Sequence, residues 1–299
     1  MLDLKNPIYG NDEDARKHLE ALRWPNGPSC PHCEAVNNAT ELKGGSTRAG
    51  VWKCKACRKP FSVTVGTVFE RSHIPLSKWL LATHLLSASK KGMSAHQLHR
   101  MLDVTYKTAW FMAHRIREAM KDEGLPPLGG EGKTLEMDET YFGRKAGEKG
   151  SKRANRRAVV SLVERGGDVR SFHVKHANSE TVKAILKKNA DKDSVFNTDE
   201  FHLYDKLGKQ FVRHDRVKHS DGEYVRGEAY TNTIEGYFSI FKRGMRGVYQ
   251  HCGEQHLQRY LAEFDFRYNH RKIADDIRAA AALKNIEGKR LTYRRSNEA

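Results

Sequence analysis

No stretch of about 18 apolar residues occurs anywhere in the 299-residue sequence, which excludes a helix built to cross a bilayer. The opening segment, Met1 to Glu20, also lacks the apolar run of a secretory signal. These two absences predict a soluble, cytoplasmic protein with no membrane partner. Acidic residues are in short supply, 37 against 53 lysines and arginines, and the pI is ≈ 9.6. That imbalance favours a polyanionic partner, and with the membrane set aside the partner is nucleic acid. The length suggests about two domains, one with a sizeable core.

Cysteine is scarce as well, with five residues, but four of them are not scattered. Cys30 and Cys33 form one CxxC pair and Cys54 and Cys57 another, with 20 residues between the pairs. In a reducing compartment this pattern reads as one structural four-thiolate Zn²⁺ site, each pair turning both sulfurs toward a single ion. Redox or incidental cysteines are the alternative. His32, inside the first pair, is surplus to a completed tetrahedron, and Cys252 reads as a small, partly buried residue.

Residues 1–27 are expected to be a helical lead-in, with Ala15, Leu19 and Leu22 at helical spacing. Residues 28–70 form the zinc ribbon. Between Lys43 and Lys78 there are eight basic residues and one acid, Glu70, a charge suited to nucleic acid although a solvated face would look the same. Residues 71–123 carry three helical patterns, about Leu76–Ser89, Ser94–Leu102 and Thr105–Met120. The last two match a helix-turn-helix, with Tyr106, Lys107 and Thr108 at the exposed start of the recognition helix and Arg115 further along it. An ordinary three-helix packing unit is the alternative. Gly124 to Gly130 has the composition of a linker, assigned to 124–133.

From 134 to 299 the pattern becomes that of an α/β domain with a C-terminal helical tail. Strands are expected around Thr134–Asp138, Ala158–Glu164, Val169–Lys175 and Asp193–Asp199, the second and third joined by a hairpin and a helix capped by Ser179 preceding the fourth. This β-β-β-α-β order is that of a ribonuclease-H-like mixed sheet, in which the first and fourth strands are neighbours. Asp138 and Asp199 end those two strands, and a helix from about Tyr230 to Gly244 brings Glu235. Clustered carboxylates of this kind suit two divalent cations, Mg²⁺ or Mn²⁺, that clamp the oxygens of a phosphodiester. Glu139 follows Asp138 on the opposite face. A helix N-cap is the alternative role for Asp199. Lys242 lies seven residues after Glu235 on one helix face, suited to a phosphate; a pair of surface charges is the alternative. Arg144, Lys145, Lys152, Arg153, Arg156 and Arg157 make a basic stretch beside the first strand, and Asn232 and Arg243 flank Glu235 and Lys242.

These motifs together resemble the IS1595 family of insertion-sequence transposases, in its ISXO2-like group. The resemblance runs over nearly the whole chain: Leu22-Arg23-Trp24-Pro25 before Cys30, Lys107-Thr108-Ala109-Trp110, Met137-Asp138-Glu139-Thr140-Tyr141, Gly222 to Gly227, Thr231-Asn232-Thr233-Ile234-Glu235-Gly236, Phe241-Lys242-Arg243-Gly244, Phe266 to Arg271 and Lys289 to Arg295. It implies a DDE catalytic domain with Asp138, Asp199 and Glu235 as triad and Lys242 as a base- or phosphate-contacting lysine. It further implies an enzyme that binds the terminal inverted repeats of its element, cleaves the ends and joins the 3′-hydroxyl to target DNA. Two ends handled together imply a homodimer or higher oligomer on double-stranded DNA, nucleoid-associated when bound. A DNA-binding regulator with a non-catalytic nuclease-like domain is the competing reading, and the three acids argue against it.

Overall fold

The computed structural model describes residues 5–143, 156–199, 204–217 and 226–292. Two compact units are present: Met1–Lys121 with Lys272–Ala299, and Asp122–Arg271.

The first unit begins with α1 (Asp12–Arg23), capped by Asn11, whose side chain accepts from the amides of Glu13 and Asp14. A three-stranded antiparallel sheet follows, β1 (Ala39–Glu41), β2 (Trp52–Cys54) and β3 (Pro60–Phe61). Helix α2 (Leu76–Ala88) is apolar on most sides and packs against α1 and against two later helices, Tyr106–Ala119 and Asp275–Lys284. Its Pro75 N-cap has no side chain to offer; the Asp12 carboxylate instead accepts from the Ser77 amide at 2.9 Å and hydroxyl at 2.6 Å. Helices α3 (Ala95–Leu102) and α4 (Tyr106–Ala119) are capped by Ser94 and Thr105, and Asp103 takes a left-handed conformation (φ 48°) in the short turn between them.

The C-terminal segment departs from expectation. The described residues from 272 onward, 272–292, belong to the first unit and not to the α/β domain expected over 134–299. The cause is burial: α9 (Asp275–Lys284) sets Ala279, Ala282 and Leu283 against α2, and the buried Arg278 donates to the Ser87 carbonyl at 2.9 Å. Beyond α9 the chain bonds to residues 66–68, with Val68 N–H to Ile286 O at 3.1 Å and Gly288 N–H to Gly66 O at 2.9 Å.

The second unit is a five-stranded mixed sheet, ordered β6-β5-β4-β7-β8. Strands β4 (Thr134–Phe142), β5 (Arg157–Glu164) and β6 (Val169–Val174) are antiparallel; β7 (Val195–Thr198) and β8 (Arg213–Arg216) run parallel to β4. The period-2 alternation of strands divides the side chains between two cores. Leu135, Met137, Val160 and Leu162 face α5 (Ser179–Asn189) and the short α6 (Asp205–Gly208); Phe142, Val159 and Val163 face α7 (Asn232–Gly244) and α8 (Leu257–Asn269). Asn178, not Ser179, caps α5. The expected linker is part of this unit: Leu128 is buried in the α5-side core, its amide bonded to the Asn189 carbonyl at 2.8 Å. Gly129 is required there, because φ is +100° and a Cβ would lie 2.0 Å from the Ser194 hydroxyl.

Candidate functional site

The four cysteines converge. Their sulfurs all lie within 4.8 Å of one another, and among the described residues no other such ligand group is found. Each CxxC turns through a left-handed residue, Glu34 (φ 61°) after the first and Arg58 (φ 61°) after the second. The turns close with Glu34 N–H to Cys30 O at 2.9 Å and Cys54 N–H to Lys59 O at 3.1 Å. A tetrahedron with Zn–S bonds of about 2.3 Å has edges of about 3.8 Å. The observed Cys30–Cys57 and Cys33–Cys54 separations are 3.7 and 3.6 Å, so the donor set fits zinc. Hydrogen bonding within the cluster favours one thiolate: the backbone N–H of Cys57, with further bonds from Cys33, Ala56 and Cys57, lowers the Cys54 thiol to about 7, whereas the Cys33 thiol, despite a backbone bond from Ala35 that lowers it, is raised to about 11 by its bonds to the other thiols and by burial. His32 is exposed and approaches the Pro60 carbonyl at 3.4 Å, outside the cluster.

The acids occupy the second unit. The parallel pairing of β4 and β7 ends at Met137↔Thr198, so Asp138 and Asp199 follow on adjacent strands, about 5 Å apart in backbone. Asp138 is half-buried and its carboxylate accepts from the Glu139 amide at 2.7 Å. Burial, then repulsion from Asp199, Glu139 and Glu235, pushes the Asp138 carboxyl up to about 8. Asp138 therefore senses three other acids, although Asp138, Asp199 and Glu235 do not form the tight cluster that the cysteines do. Glu235 is exposed in the first turn of α7, and its carboxylate accepts from the buried Thr231 hydroxyl at 3.0 Å. Glu139, on the other face of β4, accepts from the hydroxyl of fully buried Tyr204 at 2.8 Å.

Behind this cluster lie polar side chains that the sequence reading passed over. Glu136, fully buried on β4, accepts from Arg165 Nε at 2.6 Å and from the Ile234 amide at 3.0 Å. Asn197, fully buried on β7, donates to the carbonyls of Glu228 and Tyr230 at 3.1 and 3.3 Å. The signal was present: each is a polar residue inside an apolar strand, two positions before an acid and hence on the same face. His214 on β8 bonds through Nε2 to the Thr198 hydroxyl at 2.9 Å, beside Asp199.

The expected nucleic-acid contacts divide. Tyr106 and Lys107 are exposed at the start of α4, with the Tyr106 ring stacked on His96 at 4.3 Å between centroids. Thr108 is half-buried, its amide taken by the Thr105 hydroxyl at 3.2 Å. Arg115 is a correction: expected on an exposed helix face, it is only 7% exposed, donates to the carbonyls of Glu70 at 3.2 Å and Leu291 at 3.3 Å and lies over Phe111, a structural placement. Arg156 is exposed, whereas Arg157 is half-buried and donates to the Cys252 carbonyl. Arg144, Lys145, Lys152 and Arg153 lie outside the described residues. On α7, Asn232 is exposed; Lys242 is half-buried, its Nζ 5.9 Å from the Phe238 ring centroid; and Arg243 folds back on Ser239. No described helix is long and apolar enough to cross a membrane.

The fold thus combines a four-cysteine ribbon with a mixed sheet in which Asp138 and Asp199 lie on neighbouring strands. Comparison with known proteins identifies the family. Residues 127–269 match the ISXO2-like transposase domain and residues 10–60 the transposase zinc-ribbon domain. The chain is 32% identical over 292 residues to an uncharacterized protein in transposable element ISH50 of Halobacterium salinarum, covering 89% of this chain and 93% of that protein. It is also 28% identical over 104 residues to an uncharacterized transposase-like protein of Haemophilus influenzae, covering 35% of this chain and 83% of that protein. The chain belongs to the IS1595 family of transposases.

Proposed function

We propose that this transposase binds the terminal inverted repeats of its insertion sequence, cleaves a phosphodiester at each end and joins the 3′-hydroxyl to target DNA by transesterification. The observation that carries the reading is the β4–β7 pairing, which stops at Met137↔Thr198 and so leaves Asp138, inside β4, beside Asp199, just past the end of β7. The strand order, three antiparallel strands followed by two parallel ones, supports a ribonuclease-H-like sheet. Asp138, Asp199 and Glu235 are the proposed ligands of two Mg²⁺ or Mn²⁺ ions, and the hard oxygen donors suit those metals. When bound, the ions would supply activation of the nucleophile and stabilisation of the leaving oxygen. The chain's own part is to bring acids together at a partly buried place; burial first, and then repulsion from Asp199, Glu139 and Glu235, raises the Asp138 carboxyl, and a bound cation would offset that repulsion. Lys242, two helical turns after Glu235, is placed to meet a phosphate of the DNA.

End recognition is assigned to the first unit, with α3 and α4 as a helix-turn-helix supported by the caps at Ser94 and Thr105 and the exposed Tyr106 and Lys107. Arg156, Asn232 and Arg243 are the proposed contacts on the second unit among its described residues. One zinc holds the ribbon. Work on two ends requires a homodimer or higher oligomer, acting in the cytoplasm and on nucleoid DNA.

The test uses labelled duplex carrying the element ends and purified protein with Mg²⁺. Cleavage should be lost in Asp138→Asn, Asp199→Asn and Glu235→Gln, with end binding kept. Cleavage retained in all three would replace this reading with that of a DNA-binding regulator.

A further inference from the structure

Beside each of the three acids stands a buried polar contact, and these contacts are joined to one another. Glu136 precedes Asp138 by two residues on β4, and Asn197 precedes Asp199 by two on β7; the two are register partners across the parallel pair. The Ile234 amide, one residue before Glu235, donates to Glu136 Oε2 at 3.0 Å. Arg165, in the turn after β5, completes the connection. Its Nε donates to Glu136 Oε1 at 2.6 Å, its two terminal nitrogens donate to Glu228 O at 2.8 Å and Tyr230 O at 2.6 Å, and its guanidinium carbon lies 3.4 Å from the Tyr230 ring centroid. Asn197 grips the same two carbonyls from the other side.

We propose that Glu136, Arg165 and Asn197 form a positioning unit that fixes the start of α7 against β4 and β7, and thereby sets Glu235 against Asp138 and Asp199. The proposal rests on the reading of those three acids as metal ligands. Helix α7 has an uncapped N-terminus of its own, because Thr231 makes no side-chain cap and gives its hydroxyl to Glu235. The Glu136 carboxylate supplies the missing acceptor, and a negative charge at that end also suits the helix dipole. A buried ion pair contributes little net stability compared with an apolar filling of the same space. Its hydrogen bonds do have direction, and here all but the Arg165 Nε–Glu136 bond reach residues 228–234, the segment that delivers Glu235. A metal site in which one ligand comes from a helix and two from strands needs such a register, since outer partners of metal ligands set affinity by about 10–100-fold.

The experiment measures Mn²⁺ binding to the full zinc-loaded chain by electron paramagnetic resonance of the free ion, beside end cleavage as a function of Mn²⁺ concentration. Glu136→Gln puts an amide N–H against either Arg165 Nε or the Ile234 amide, and Asn197→Ala removes one of the two grips while Arg165 keeps both carbonyls bonded. Both should bind Mn²⁺ about 10–100-fold more weakly, with cleavage displaced to higher metal and its maximal rate largely recovered there. A merely structural role would lower the folded fraction and not move the metal titration. Wild-type Mn²⁺ affinity in both variants, with the ion lost in Asp199→Asn, would overturn the positioning unit and leave the ligand assignment standing. Equal binding by the wild type and Asp199→Asn would instead remove the ligand assignment, and this proposal with it. Should Glu136→Gln fail to fold, the Asn197→Ala titration decides alone by the same criterion.

Discussion

Gly208→Ala tests how tightly the strand end that carries Asp199 is braced. Gly208 needs no unusual backbone angle; its constraint is space, since an added Cβ would lie 2.0 Å from His214 Nδ1, 2.2 Å from Cγ and 2.5 Å from Cε1. Carbon contacts settle at about 3.5–4.0 Å, so the ring must move by well over an ångström. It is not free to do so. The ring stacks on Phe196 at 5.4 Å between centroids, and its Nε2 bonds to the Thr198 hydroxyl, which itself donates to the Asp199 carbonyl at 3.1 Å. Overpacking costs about 1–3 kcal/mol and the lost hydrogen bond about 1 kcal/mol, so the substitution should destabilise by about 2–4 kcal/mol. The assay is urea unfolding of a double-mutant cycle with His214→Ala. Removing the ring removes the clash, so the double variant should be about as stable as His214→Ala alone, with a coupling equal in size to the whole Gly208→Ala loss, about 2–4 kcal/mol. Additive losses, or wild-type stability in Gly208→Ala, would refute the packing described here.

Three further outcomes are expected. The Asp265 carboxyl, raised by burial to about 7 against hydrogen bonds from Tyr237 and Ser171, holds its proton in the folded state after the unfolded chain has released it. Its stabilising contribution is therefore present below pH 4 and lost as pH rises to about 7, at up to about 1.4 kcal/mol per pH unit; the stability of wild type relative to Asp265→Asn should fall from pH 5 to pH 7, and a flat difference would contradict this. Purified protein should carry about one zinc per four-thiolate site, and Cys54→Ser or a chelator should remove it and shift the fluorescence of buried Trp24, which packs edge-on against Trp52 and Phe61. Lys107→Ala should weaken end binding; a phosphate contact lowers specific and non-specific affinity together and the salt slope by about one, whereas unaltered affinity for both DNAs would set aside the helix-turn-helix assignment.

What the sequence disclosed followed from local chemistry. Two CxxC pairs announce their cluster because the thiols need a shared partner, and β4, β5 and β6 announce themselves by apolar runs between turns. Strand β8 was missed because Arg213–Arg216 has no apolar face; it exists through backbone pairing to β7, which leaves no side-chain pattern. Arg115 was misplaced for a related reason. A basic residue on a helix reads as exposed, and only the distant carbonyls of Glu70 and Leu291 show where its guanidinium goes. The return of α9 to α2 is likewise a long-range event, since an Ala-rich amphipathic helix fits many surfaces. Asp199 follows the end of its strand as expected, but Asp138 does not end its own: pairing with β5 carries β4 on to Phe142, and Glu136, Asn197 and Arg165 acquire meaning only once three strands and α7 are assembled.

The central claim is that one set of three carboxylates serves both cleavage and joining. Asp199→Asn keeps the shape and hydrogen-bonding reach of the side chain and removes the charge that would hold a divalent ion. The most direct measurement supplies this variant with a pre-cleaved element end and scores joining to target DNA in Mg²⁺ and in Mn²⁺. The account predicts bound DNA and no joined product in either metal, because a ready-made 3′-hydroxyl does not replace the missing ligand. Joined product from the pre-cleaved end at the wild-type level would contradict it.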